Sequence, residues 1–145
     1  MGPQMQFEKD GFLITDDAQR IDLDAVCRLL ADTYWASARS RQTIAKSIAN
    51  SIPIGLYHGD RQIGFARIVT DRATFAWIAD VIVDAAYRGQ GLGTWLAECV
   101  LSHPEIAGMR HLLRTRDAHS LYERFGFRRN ECMTRDHSGH DWERP

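Results

Sequence analysis

The sequence predicts a mixed α/β layer, on three observations. Segments with helical spacing of apolar residues alternate along the chain with segments rich in β-branched residues. One of the latter, Thr74 to Val83, is apolar on both faces, as a strand in the middle of a doubly covered sheet must be. No repeat, linker or change of composition interrupts the alternation. The 145 residues therefore read as one domain, with its core at about 11–130 and a polar tail at 132–145.

Each element has its own signature. Gly11-Phe-Leu-Ile-Thr15 reads as a first short strand, ended by Asp16-Asp17. Asp22 is placed as an N-cap with Asp24 in the first turn, and Leu23, Val26, Cys27, Leu30, Ala31 and Tyr34 line one helix face. Trp35-Ala-Ser-Ala-Arg-Ser-Arg41 is a polar break, and Arg41 to Asn50 is a second, weaker helix closed by Pro53. Ile54 to Tyr57 and Gln62 to Val69 read as strands joined through His58-Gly59-Asp60-Arg61, and Thr74 to Val83 completes a meander. Asp80 is the one polar residue within that last strand. After a glycine turn, Leu92, Trp95, Leu96, Cys99 and Val100 mark a third helix that ends near His103. Arg110 to Thr115 is a strand. Asp117 is placed as the cap of a short helix carrying Ala118, Leu121, Tyr122 and Phe125, with Gly126 as its terminating glycine. Phe127 starts another strand, and the tail holds at most a weak one.

Composition narrows the function classes. A formal net charge of −1 with no block of like charge argues against a broad nucleic-acid or anionic-membrane surface, while leaving room for a local basic patch. No apolar run approaches the roughly 20 residues that span a bilayer. Met1 to Phe7 lacks the basic-then-apolar order of a signal peptide. Cys27, Cys99 and Cys132 are odd in number and widely spaced, the first two on apolar helix faces. A reduced, cytoplasmic setting is the expectation.

The stretch around Arg88 to Thr94 carries the chemistry. Strand, glycine turn and helix in that order bring unpaired backbone N–H groups and the positive end of a helix dipole to one point. Gly89, Gly91 and Gly93 let the chain turn with positive φ and keep Cβ atoms out of the path of a phosphate. That is a pyrophosphate cradle. A Rossmann fingerprint fails here: Gly89-Gln-Gly91-Leu-Gly93 is G-x-G-x-G, and after Thr94-Trp95 the slot holds Leu96. Residues 111–113, where an acidic residue is due, are His-Leu-Leu. A P-loop needs Gly-Lys-Ser/Thr, and no lysine is near.

Arg88-Gly-Gln-Gly91-Leu-Gly93 does match (Arg/Gln)-x-x-Gly-x-(Gly/Ala). With Ile78 to Tyr87 before it and Leu121-Tyr122-Glu-Arg-Phe-Gly126-Phe127 after it, the chain closely resembles the GNAT acetyltransferases, from roughly Gly11 to Phe127. Residues 34–51 and the run from Thr115 to Tyr122 resemble a bacterial subgroup of that family to which no substrate attaches. The resemblance implies an acyl-CoA N-acyltransferase fold. Its central, mostly antiparallel sheet is splayed between the fourth and fifth strands and flanked by helices on both faces. It implies acetyl-CoA as cosubstrate and no metal. Arg88, Gly89, Gln90, Gly91, Leu92, Gly93 and Thr94 then hold the pyrophosphate through main-chain groups, and Val81, Ile82 and Val83 pair with the pantetheine arm. Thr115 stands where many members carry an asparagine and offers a hydroxyl. Homodimers are common in the family.

Acetyl transfer to an amine needs a base for the amine, donors for the tetrahedral oxyanion and an acid for the leaving thiolate. Tyr122 occupies the family's general-acid position, and a phenol, with a pKa of about 10, is comparable in basicity to an alkyl thiolate. Its place on an apolar helix stripe is equally what packing alone requires. Asp80 is the leading base candidate, acting through a water, because an ionised carboxylate in an apolar strand must be paired, hydrated or shifted in pKa. Pairing with an arginine is the competing reading, and Ala79 stands where related enzymes often carry a second acid. His119 and Glu123 are weaker base candidates. The resemblance makes Trp35, Arg39 and Arg41 the acceptor wall. Arginines there suit a carboxylate or phosphate, and solvated loop arginines are the plain alternative. Asp136-His137-Ser-Gly-His140-Asp141 has no framework for a metal and reads as a polar terminus.

The expected protein is an N-acetyltransferase that acts on a primary amine, of a small molecule or a protein, by direct attack in a ternary complex. No cysteine sits at the expected reaction centre to carry the acetyl group. A non-catalytic acyl-CoA-binding sensor or interaction module with the same fold is the alternative, and a dinucleotide-binding protein is the third reading.

Overall fold

The computed structural model describes residues 2–136. Their contacts group into two units, one ending at Leu113 and one beginning at Arg114. The first is built on a single six-stranded sheet whose spatial order is the chain order: β1 (Gln6–Lys9), β2 (Phe12–Thr15), β3 (Ile52–His58), β4 (Arg61–Thr70), β5 (Phe75–Val83) and β6 (Arg110–Leu113). Neighbours are antiparallel up to β5, and β6 runs parallel to β5 because a helix intervenes.

Strand β1 is absent from the sequence reading. Its four residues are all exposed, so no apolar alternation announces it. What forms it is the turn that follows: Asp10 and Gly11 both take positive φ, 52° and 84°, which suits a two-residue hairpin. Pro53 also departs from expectation, lying inside β3. Pairing with β2 covers only Gly55 to His58, so the proline sits where β3 has a partner on one side alone.

Helices α1 (Leu23–Ala31) and α2 (Arg41–Ala49) begin at side-chain caps, Asp22 accepting from the Ala25 N–H and Ser40 from that of Thr43. Helix α1 stops short of Tyr34 because the Thr33 hydroxyl donates to the Leu30 carbonyl at 2.8 Å and accepts from Ala36 N–H, which turns the chain away. Val26, Leu30, Ala36 and Ile44 pack with Phe65 on one face of the sheet. Helix α3 (Leu92–Leu101) covers the other face, with Leu92, Leu96, Cys99 and Val100 set among Ile14, Ile54, Ile68 and Ile78. Beyond α3, buried His103 accepts the Glu105 N–H at Nδ1, so its Nε2 donates to Asp16 at 2.8 Å. Asp16 in turn accepts from the main chain of Gln4 and Met5, which ties the β1–β2 hairpin to the end of α3.

Strand β5 contains one residue too many. Phe65 pairs with Ile82 but Arg67 with Ala79, so Asp80 and Val81 together face Ala66 in a bulge, and Asp80 takes φ 55°. Pairing with β6 ends at Ile78 and Leu113, two residues before the bulge.

In the second unit, α4 (His119–Glu123) closes in a Schellman motif: the Gly126 N–H donates to the Glu123 carbonyl and the Phe127 N–H to that of Tyr122. Gly126 has φ 87°, and the Phe127 ring meets the Tyr122 ring edge-on at 5.7 Å. Asp117 is not the cap of this helix. The Ala118 N–H goes to the Thr115 hydroxyl instead, at 2.9 Å. No strand follows Phe127 among the described residues, and burial does not alternate along residues 127–136.

Phe65 is wholly buried where α1 and α2 meet the sheet. Phe65→Ala is expected to lower unfolding free energy by about 3–5 kcal/mol, read by chemical denaturation.

Candidate active site

The site grows from the far end of β5. From Ala79 to Val83 this strand pairs with β4 on one side and has no β6 partner on the other, so main-chain N–H and C=O groups of that segment lack sheet partners there. Asp84 then ends the strand, its N–H donating to the Ile63 carbonyl at 2.7 Å and its carboxylate accepting from Ala86 N–H. Arg88 folds back and donates from Nε to the Val83 carbonyl at 3.0 Å, and Gln90 donates to the Tyr87 carbonyl. These bonds set the path of the glycine turn.

Gly89 and Gly91 are both left-handed, at 86° and 83°, and Gly91 is the N-cap of α3 without any side-chain cap bond. The first intrahelical donor is the Trp95 N–H, to Gly91, so the amides of Leu92, Gly93 and Thr94 precede the hydrogen-bond ladder. A Cβ built on Gly89, Gly91 or Gly93 meets nothing within 4 Å. Gly93 is the informative one. It lies inside the helix at ordinary φ, so no backbone need explains it, and its missing side chain leaves room above the helix end. The residues present therefore fit a phosphate group of the kind acetyl-CoA carries. A depression lined by Lys9, Phe12, Gln90, Gly91 and Trp95 flanks the turn, with the Lys9 ammonium 5.9 Å from the Trp95 ring centre.

Asp80 lies at the bulge with its side chain 1% exposed. Three donors converge on it: Trp35 Nε1 on Oδ1 at 2.9 Å, and Arg39 Nη1 and Arg67 Nε both on Oδ2 at 2.7 Å. Burial works against the charged carboxylate, but the charges and hydrogen bonds of Arg67 and Arg39 outweigh it and hold the carboxyl below its usual range. An anion so committed is a poor base and a strong anchor, which favours arginine pairing over the role of base. Trp35 and Arg39 thus meet where the acceptor wall was expected. Arg41 does not join them. As the first residue of α2 it pairs with Asp24 of α1, both side chains largely in solvent.

Arg67 escaped the sequence reading. Its signal was a lone charge in the apolar run Ile63-Gly-Phe-Ala-Arg67-Ile-Val, one hairpin away from the lone charge Asp80. Val81, Ile82 and Val83 occupy the bulge and the strand end, and Thr115 caps the turn into α4. Tyr122 is largely buried, 8% exposed. Burial raises the Cys99 thiol to about 11, which keeps it out of nucleophilic chemistry. Among the described residues no group of three or more His, Cys, Asp or Glu gathers for a metal ion, and His137 to Asp141 lie outside those residues. No described helix is long and apolar enough to cross a membrane.

Comparison with known proteins agrees with this fold. Residues 50–129 match the family model of the acetyltransferase (GNAT) domain. The crystal structure of a GNAT-family protein from Xanthomonas campestris pv. campestris is 33% identical, with a TM-score of 0.84 over 91% of this chain and 97% of that one. A Trypanosoma brucei acetyltransferase is 27% identical, with a TM-score of 0.60 over 81% of this chain and 94% of its own. A histone acetyltransferase of Glycine max is 32% identical across 66% of this chain; the alignment spans 45% of its length.

Asp80→Asn keeps a side chain that tolerates positive φ and leaves two guanidiniums without their counter-charge. A loss of about 3 kcal/mol or more is expected in chemical denaturation at neutral pH. Because the folded pKa of Asp80 lies below its unfolded value, its contribution is complete above the unfolded pKa of about 3.9 and fades as pH falls through the folded one. The variant should therefore lose less stability than the native chain between neutral and strongly acidic pH.

Proposed function

Since this chain belongs to the GNAT family of acetyltransferases, we propose that it transfers the acetyl group of acetyl-CoA to a primary amine by direct attack in a ternary complex. The observation that carries the reading is the join between β5 and α3. A strand with one side free of β6 beyond Ile78 runs into a turn whose glycines border open space and whose helix has no side-chain cap.

Acetyl-CoA, when bound, supplies a thioester carbonyl and a thiolate leaving group. On this reading the amides of Leu92, Gly93 and Thr94 take up the pyrophosphate charge, backed by the α3 dipole. The main chain of Val81, Ile82 and Val83 pairs with the extended arm as a further strand would. Arg88 supports both by holding the strand end to the turn. Tyr122 returns a proton to the sulfur, and its ring is braced by Phe127. The amine attacks in its neutral form; as the N–C bond forms and the C–S bond breaks, the nitrogen gives one proton to water and the sulfur takes one from Tyr122, which solvent reprotonates. Asp80 serves by fixing Trp35 and Arg39, since its oxygens are engaged by three donors. A cytoplasmic setting, where thiols such as those of the three free cysteines stay reduced, suits this chemistry.

Free-thiol release from acetyl-CoA across amine classes tests the proposal. Release with none of them, alongside intact CoA binding, would favour the sensor reading. Tyr122→Phe is expected to lower kcat by roughly 100-fold and to leave the CoA dissociation constant unchanged in calorimetry.

Two glycine variants probe the cradle. Gly93→Leu should hold or raise thermal stability, by up to about 1 kcal/mol, while its bulk above the helix end weakens CoA by about tenfold or more. Gly91→Val should abolish CoA binding and destabilise, given its φ of 83°. Native CoA affinity in Gly93→Leu would remove the cradle assignment.

A further inference from the structure

We propose that the acceptor carries a carboxylate or phosphate beside its amine, and that Arg39 and Arg67 bind it. The inference rests on the acetyl-transfer reading above and assigns its substrate class.

Charge is the first argument. The pairs Arg41–Asp24, Arg61–Asp84 and Arg72–Glu105 are one-to-one and involve largely solvated arginines. At Asp80, among the described residues, two guanidiniums share one carboxylate, through the same oxygen. The cluster keeps one positive charge in excess, beside an acid that is itself sealed from solvent.

Hydrogen bonding is the second. Each arginine spends one N–H on Asp80, Arg39 from Nη1 and Arg67 from Nε. Both Nη groups of Arg67, and the Nε and Nη2 of Arg39, have no acceptor among the described residues. The side chains of Arg39 and Arg67 are 24% and 14% exposed, so these donors are within reach of a ligand. None of these donors is sealed from solvent, and a planar fork of this kind matches a carboxylate or phosphate.

Position is the third. Asp80 stands two residues past Ile78, at the start of the stretch of β5 without a β6 partner, next to Val81 to Val83, which pair with the extended arm of acetyl-CoA on the reading above. An anion held over Asp80 keeps its neighbouring amine at that point. Trp35, fixed through its indole N–H, adds an apolar wall. The carboxylate thus orients both arginines before any ligand arrives, which lowers the ordering cost of binding.

Calorimetry on the CoA-saturated protein tests this with matched probes: phosphoethanolamine against ethanolamine, and β-alanine against its amide. The charged member of at least one pair is expected to bind roughly tenfold tighter or more than its neutral partner. The two pairs separate phosphate from carboxylate. Arg39→Gln and Arg67→Gln should each weaken the charged probe by a similar factor and leave the neutral one and CoA unaffected. If Arg67→Gln fails to fold, Arg67→Lys keeps the charge on Asp80 while losing the fork, and should weaken the charged probe likewise. Equal binding of charged and neutral amines, no binding of either charged probe at millimolar concentration, or native affinity in the variants would overturn the proposal. Thiol release on the same panel reads the parent reaction separately. Charged probes that bind without release count against acetyl transfer and for the anion site. Equal release from charged and neutral amines counts against the anion site and for acetyl transfer.

Discussion

One extra residue in β5 organises this half of the molecule. The bulge turns Asp80 into the left-handed region and buries its carboxylate, and a buried carboxylate survives only with its charge answered. Arg67 answers from the adjacent strand, while Arg39 and Trp35 answer from the segment after α1. A loop that would otherwise be free to wander is thereby pinned to the centre of the sheet. The bend that a bulge puts into a strand also fits the end of β6 pairing at Ile78. One register change therefore lies beside an anchored loop on one face and a strand segment short of a partner.

The two halves of the site use different materials. Main chain does the work at the α3 end, where donors are aligned by a turn that Arg88, Gln90 and Asp84 brace from behind. Side chains do it around Asp80, where forked cations can distinguish one ligand from another. On the proposed reading, main-chain recognition serves the acetyl donor and side-chain recognition serves the acceptor.

Most local signals are legible in the sequence, and non-local ones are not. Asp22 and the Gly126-Phe127 pair act within one turn of chain, so their caps are legible from spacing alone. The helix faces and the meander were legible too, because burial imprints a period on them. Strand β1 was not, since an exposed edge strand carries no such period and exists through its turn. Asp117 has the residue type of a cap, yet the N-cap of α4 is Ala118, which makes no side-chain cap bond, and the Thr115 hydroxyl takes the Ala118 N–H in the turn before it. The Arg67 link to Asp80 needed two strands to be laid side by side with a one-residue slip between them. No periodicity encodes a slip.

The bare start of α3 has a consequence for the protein at rest. A helix whose first amides meet neither a serine nor an aspartate is left incomplete, its dipole facing solvent across three glycines. An anion that settles there finishes the helix as a capping side chain would. Ligand and fold then become thermodynamically linked: occupancy at 100 times the dissociation constant adds about 2.7 kcal/mol to the folded state. A chain with such a helix end would be sturdiest where an anion that binds there is plentiful and most exposed to unfolding where that anion runs short.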